Sequence, residues 1–158
     1  MMRDDVWPTL KVLKKDMAWG EPKQMNWRLI HALDQFLSLN KLVFLVTCGT
    51  QGTHAPNSQH YTGDAVDIMF PNVKLAELPD VFMKALKFQF IMNGYDNARF
   101  KGLGIYNQWH WCGEVIGGMH FDWRPNNDDH VATWMRTEDG DLEVTLANFR
   151  KYFPGFPG

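Results

Sequence analysis

Two short stretches, "DAVDIMF" at 64–70 and "GGMHFDWRP" at 117–125, alternate in character from one residue to the next. In an extended strand successive side chains point to opposite faces. Ala65, Asp67 and Met69 therefore share one face, and Val66, Ile68 and Phe70 share the other. By the same rule His120 and Asp122 project to one side of the second strand. A sheet made of such strands has an apolar face that must be covered and an opposite face that carries imidazole and carboxylate groups.

The cover is legible nearby. "NWRLIHALDQFLSLN" reads as a helix capped by Asn26, with Leu29, Leu33, Phe36 and Leu37 on one apolar stripe. "PDVFMKALKF" reads as a second helix with Asp80 as its cap. "KLVFLVT" is a nearly continuous apolar run, the pattern of a buried strand. "FQFIMNGYD" and "GLGIYN" read as further strands or strand ends separated by the polar turn "NARFK". "CGTQGTHAPN" is a loop by composition. The tail offers a turn at Asp139–Gly140 and a short helix in "LANFRKYF". The expectation is a single α+β domain over 1–158, with a mainly antiparallel sheet and helices packed on one side. Residues 1–20 are expected to form a peripheral N-terminal arm containing a short helix.

Composition narrows the function classes. A net charge of −2 gives no electrostatic footprint for nucleic acid or an anionic membrane, so neither is expected as a partner. No run approaches the roughly 20 apolar residues of a membrane span. The first twenty residues lack the apolar core of a secretory signal, so the expected site of synthesis is the cytoplasm, without a signal peptide. Cys48 and Cys112 read as free thiols, since two cysteines are no disulfide framework in a chain of 158 residues. Seven Trp and eleven Phe are many for this length; they imply either a ring-rich core or a ring-lined cleft.

His60, Asp67 and His120 stand out as metal ligands. A catalytic zinc takes three protein ligands from His and carboxylate and leaves a fourth position open. Gly63 lets the chain turn closely after His60, so that the strand carrying Asp67 runs back beside it. Asp122, two residues after His120, suits an acid/base or ligand-orienting role. Residue type and spacing leave the alternative open: a hydrogen-bonded core histidine, and a carboxylate satisfied by backbone N–H groups.

"SQHYTGDAVDI" resembles the Ser-x-His-x-x-Gly-x-Ala-x-Asp-Ile signature of the zinc D-alanyl-D-alanine carboxypeptidases. Relatives of that family include phage L-alanyl-D-glutamate endolysins and the peptidase-like domain of hedgehog proteins. Ser58, His60, Gly63, Ala65, Asp67 and Ile68 all fall in register. "GLGIYN…GGMHFDWRP" is similar to the Gly-x-Gly-x-Tyr … His-x-Asp segment of one branch of the family. The resemblance runs from Gly20 to Pro125. It implies a hedgehog-like or DD-peptidase-like fold and a Zn2+ held by His60, Asp67 and His120. It also implies hydrolysis of peptide bonds in bacterial cell-wall peptidoglycan.

Two departures from the family pattern matter. Many members carry an acid three residues before the second histidine, where this chain has Gly117. Asp122 is then the first candidate for catalytic base, and Glu114 the second. Members commonly read Thr-Ser-Gly-Tyr-Arg where this chain has Thr47, Cys48, Gly49, Thr50 and Gln51. Gln51 cannot make the charged bidentate pair that arginine offers a carboxylate, unless Arg99 or Arg124 replaces it. That tilts the expectation toward an endopeptidase over a carboxypeptidase. Ser58, Gln51, Arg99 and His110 are the expected substrate contacts, with "NQWHWCGEV" forming a lid or an exposed loop and His54 a further candidate. A wall substrate without a secretory signal suits a phage or prophage lytic enzyme, acting after release with lysis partners or as part of a virion. The competing expectation is an inert zinc-containing binding or virion structural module on the same fold.

Overall fold

A computed structural model describes residues 1–91, 100–124 and 131–158, with no side-chain description for 89–91. Helix α1 (Trp27–Leu39) starts where expected, Asn26 accepting the Arg28 N–H. It ends at Leu39, and beyond its cap Asn40 the φ of 50° at Lys41 closes a reversal in which the Leu42 N–H donates to Leu37 and the Lys41 N–H to Ser38. That reversal uses up the first half of "KLVFLVT". Strand β1 therefore covers only Leu45–Cys48, shorter than the expected run.

Strand β2 (Ala65–Met69) follows, and a 3₁₀ turn at Leu75–Glu77 leads straight into helix α2 (Leu78–Ile91). The Lys74 N–H donates to the Glu77 carboxylate at 3.2 Å, so the helical turn begins before Asp80. Asp80 lies in the first turn and is not the cap. Residues 88–91 of the expected strand "FQFIMNGYD" continue this helix, since its apolar run also fits a buried helix face. Residues 92–99, including the turn "NARFK" up to Arg99, and 125–130, including Pro125 and His130, lie outside the described residues.

Strands β3 (Gly102–Tyr106), β4 (His110–Trp111), β5 (Glu114–Val115), β6 (Gly118–Asp122), β7 (Ala132–Thr137) and β8 (Gly140–Leu142) come next, then helix α3 (Leu146–Tyr152). Among the described residues, six strands form one sheet in the order β1-β2-β6-β3-β7-β8. Its pairs are antiparallel except β3 with β7. The fold is α+β with a mostly antiparallel sheet. "NQWHWCGEV" is a β4–β5 hairpin whose two turn residues, Cys112 and Gly113, have φ of 50° and 86°.

One face of the sheet is apolar: Val66, Ile68, Leu103, Ile105, Met119 and Phe121 are fully buried. Phe36 of α1 meets Phe121 at 5.9 Å between ring centroids, and Phe88 of α2 meets Phe36 at 5.7 Å. Phe82 of α2 meets Phe149 of α3 at 6.0 Å. All three helices thus share one core with this face, and many of the phenylalanines are spent there.

The first twenty residues contribute Met2, Trp7, Leu10, Leu13 and Trp19 to the same core. They are fastened by Asp34 of α1, a buried carboxylate that accepts the N–H groups of Lys11, Val12 and Leu13 at 2.8–3.0 Å. Three hydrogen bonds to one charge offset the cost of removing it from water. No described helix is long and apolar enough to cross a membrane.

Candidate metal centre

The uncovered face of the sheet carries the polar residues. Strand pairing sets Cys48 opposite Asp67, Asp67 opposite His120, His120 opposite Gly104, and Gly104 opposite Trp134. One row across five strands therefore holds a thiol, a carboxylate, an imidazole, a gap and an indole. His60 reaches this row from a 3₁₀ turn at Gln59–Thr62, whose cap Ser58 accepts the His60 N–H. Gly63 closes that turn with a φ of 75°, and a Cβ there would strike the Gln24 backbone. Only glycine fits both demands, and the chain can then enter β2 directly.

His60 Nε2 lies 3.2 Å from His120 Nδ1 and 3.4 Å from Asp67 Oδ2, and His120 Nδ1 lies 2.8 Å from Asp67 Oδ1. The three side chains, far apart in sequence, converge on one point. Each imidazole is aimed by a partner on its far nitrogen. His60 Nδ1 donates to the Gly49 carbonyl at 2.5 Å, which leaves Nε2 facing the cluster. His120 Nε2 donates to Asp122 Oδ2 at 3.3 Å, which leaves Nδ1 facing it. Outer partners of this kind set the tautomer of metal-binding histidines.

Asp122 is fully buried, and its oxygens are held by the Arg124 guanidinium, with Arg124 Nε 2.9 Å from Oδ1. A Cβ on Gly102 would run into this carboxylate, so the bare glycine provides its space. Gly104 likewise provides space for the Trp134 ring, which lies 5.2 Å from that of His120. Trp134 Nε1 donates to the Tyr106 hydroxyl at 3.3 Å, and Tyr106 stacks on Trp109 at 4.6 Å. These rings and the cluster line a cleft of about 550 Å³.

Burial disfavours the charged form of every group in the cluster, and mutual attraction reverses the outcome. Burial opposes protonation of His60, but its hydrogen bonds with Asp67, which accepts, and with Cys48 outweigh it and push His60 up to about 9. Asp122 and Asp67 do the same at His120, up to about 9. Burial also opposes ionisation of Asp67, but the two histidines bring it down to about 2. Arg124 and His120 hold Asp122 below the usual carboxylate range against the same penalty. The two facing nitrogens lie 3.2 Å apart, each beside its own oxygen of Asp67, and the charge of His120 opposes that of His60. Burial, reinforced by the charge of Asp67, raises the Tyr106 phenol.

The donor set fits a small divalent ion. A tetrahedral zinc with metal–nitrogen distances near 2.0–2.1 Å places its ligand atoms roughly 3.3 Å apart. The measured separations of 2.8, 3.2 and 3.4 Å surround that value. Two imidazoles and one carboxylate also match zinc chemically.

The remaining residues singled out in the sequence fall in different places. Ser58 and His54 line the cleft, as do Arg124, Arg136 and Asp141. Gln51 is turned away, donating to the Ala18 carbonyl at 2.7 Å and accepting the Gly49 N–H. Glu114 and His110 are exposed on the β4–β5 hairpin and do not line the cleft, whereas Trp109 does. Arg99 lies outside the described residues. Cys48, Tyr106, Trp134 and the Gly49 carbonyl were not anticipated as parts of the site. The Gly-x-Gly spacing in β3 was the available signal, because two side chains are missing from one face of a central strand.

No protein-family model, curated protein or solved structure matches the chain.

Proposed function

We propose that this chain is a zinc-dependent peptidase acting on the peptides of bacterial peptidoglycan, on a DD-peptidase-like or hedgehog-like fold. The observation that carries the reading is the convergence of His60, Asp67 and His120 at the cleft. They meet with each histidine aimed by its outer hydrogen bond. These are the residues that the two family-like motifs single out, and this geometry supports their role as ligands. When bound there, a zinc ion supplies Lewis acidity to a scissile carbonyl and acidifies a water.

The protein's own groups divide the remaining work. Asp122 is a positioning residue: both oxygens are committed to His120 and Arg124, so it orients a ligand and is poorly free to take a proton. Tyr106 accepts from Trp134, which leaves its own O–H available to donate into the cleft, and its raised pKa keeps it protonated. A phenol so placed serves to stabilise a developing oxyanion. Trp109 and Trp134 provide apolar walls for a peptide and shield the cluster from water.

With Gln51 tied to the N-terminal segment, position 51 offers a substrate carboxylate no charged partner, which favours cleavage within a peptide over removal of a terminal residue. Such an enzyme acts outside the cytoplasm, as a phage or prophage lytic endopeptidase released at lysis or carried on a particle. The test is digestion of purified wall fragments. Amide cleavage should vanish with a chelator, return with zinc, and be absent in His60→Ala. Cleavage that survives both treatments rules the reading out.

A second reading has an observation of its own. Among the described cleft residues, every carboxylate is already engaged: Asp67 in the cluster, Asp122 with Arg124, and Asp141 with Arg136. A zinc-loaded binding or virion structural module fits a cleft without a free base. Zinc content of one ion per chain with no cleavage of any wall fragment would favour it.

A further inference from the structure

His60 presents a second set of ligand atoms on its other nitrogen. Cys48 Sγ lies 3.7 Å from His60 Nδ1 and 3.4 Å from His54 Nε2. The three donor atoms lie within 4.8 Å of one another. Cys48 ends β1, where the register with β2 shifts between Val46 and Cys48, and it adjoins the loop that carries His54. The His54 ring stacks on that of His60, with centroids 4.1 Å apart and planes inclined by 6°.

We propose that Cys48, His54 and His60 form a second metal site, selective for thiophilic cations, that competes with the first cluster for His60. Metal–sulfur and metal–nitrogen distances of about 2.3 and 2.0–2.1 Å imply a sulfur–nitrogen separation of roughly 3.6 Å around a tetrahedral ion. The observed 3.4 and 3.7 Å surround it. An ion on His60 Nδ1 takes the place of the Gly49 carbonyl, 2.5 Å away, and the partly buried His54 ring must turn out of its stack on His60. In the metal-free protein the Cys48 thiol and His54 Nε2 both point at the Gln51 carbonyl, each at 2.8 Å. A single carbonyl serves two donors, and a cation replaces the protons they hold. Thiolate ligation selects soft ions such as Cd2+ over hard ones, with Zn2+ between them.

Competition follows from the proton balance on one imidazole. A neutral ring carries one N–H. With the first cluster filled, that proton is on Nδ1 and is donated to Gly49. With the thiol site filled, Nδ1 ligates and the proton moves to Nε2, which can no longer serve Asp67's cluster. Filling the thiol site therefore withdraws a ligand from the first and acts as an off-switch driven by soft metals.

The probe is cadmium, titrated into full-length protein carrying one equivalent of zinc. A near-ultraviolet thiolate-to-cadmium absorption should grow in, and zinc should be released to a chromophoric indicator. Cys48→Ser should abolish the absorption, and Cys112→Ser should leave it intact. His54→Ala should weaken cadmium binding at least about tenfold. The site is overturned if the absorption is missing in the parent protein, persists in Cys48→Ser, or is indifferent to His54→Ala. Full absorption with all zinc retained overturns the sharing of His60. None of these readouts depends on catalysis, and the thiolate signal does not require zinc in the first cluster. Failure here is thus distinct from failure of the peptidase reading.

Discussion

Raising the pH from 7 to 9 should tighten zinc binding at the His60–Asp67–His120 cluster by at least roughly 100-fold. In the metal-free protein Asp67 and Asp122 favour protonation of His60 and His120, and both histidines are pushed up to about 9. Zinc must displace at least one proton from these nitrogens, and one proton sets the minimum slope. Below about pH 9 each unit of pH therefore changes the apparent dissociation constant at least about tenfold, or about 2.7 kcal/mol over two units. Asp67, brought down to about 2, is ionised throughout this range and adds no slope. Competition against a chelator of known affinity at pH 6, 7, 8 and 9 measures the slope. Calorimetry in two buffers of different ionisation enthalpy counts the protons, with at least one released at pH 7 and almost none well above pH 9. Affinity that is flat across this interval, with no proton released, would show that the facing nitrogens are already unprotonated and would refute the raised protonation of His60 and His120.

Three other outcomes are expected. Asp122→Asn should weaken zinc binding about 10- to 100-fold, because His120 loses the carboxylate that aims it. It should also destabilise the metal-free fold by about 1–2 kcal/mol, because Arg124, 34% exposed, loses a charged hydrogen-bond partner but keeps contact with water; metal titration and thermal melts check the two effects. For the metal-free protein, the raised histidines contribute stability that is present in full below about pH 6.5 and is lost as pH rises toward about 9. The depressed Asp67 contributes stability that is present above about pH 4 and is lost as pH falls toward about 2. Melting temperature should thus peak in mildly acidic solution and shift to higher pH once zinc is added. Asp34→Ala should cost about 3 kcal/mol in urea unfolding, since three backbone N–H groups lose their acceptor.

What could be read from the chain depended on whether one element or several carried the signal. The α1 stripe and the alternation in β2 and β6 are local, and each placed its side chains on the observed faces. The grouping of His60, Asp67 and His120 was suggested by the two-residue period of β2 and β6 and by Gly63, but residue type and spacing left it open, and the two family-like motifs were what singled the three out. Strand β7 was missed: "ATWMRT" alternates weakly, and its pairing with β3 is parallel, a long-range relation with no local signature. The run 88–91 misled because a short apolar stretch fits a helix face as well as a strand. Cys48 and His54 escaped notice as a pair because only the fold brings a strand end and a loop onto the far side of His60.

The segment ahead of α1 has a part in the chemistry that its position in the chain conceals. The Trp19 carbonyl accepts the Thr50 N–H at 2.7 Å, Gln51 grips Ala18, and the adjoining Gly49 carbonyl is what holds the His60 ring at its angle. Anything that loosens residues 18–20 tilts an imidazole some forty positions downstream. Trimming these residues would also take Trp19 out of the core, so the turn that carries His60 and the domain itself should loosen together.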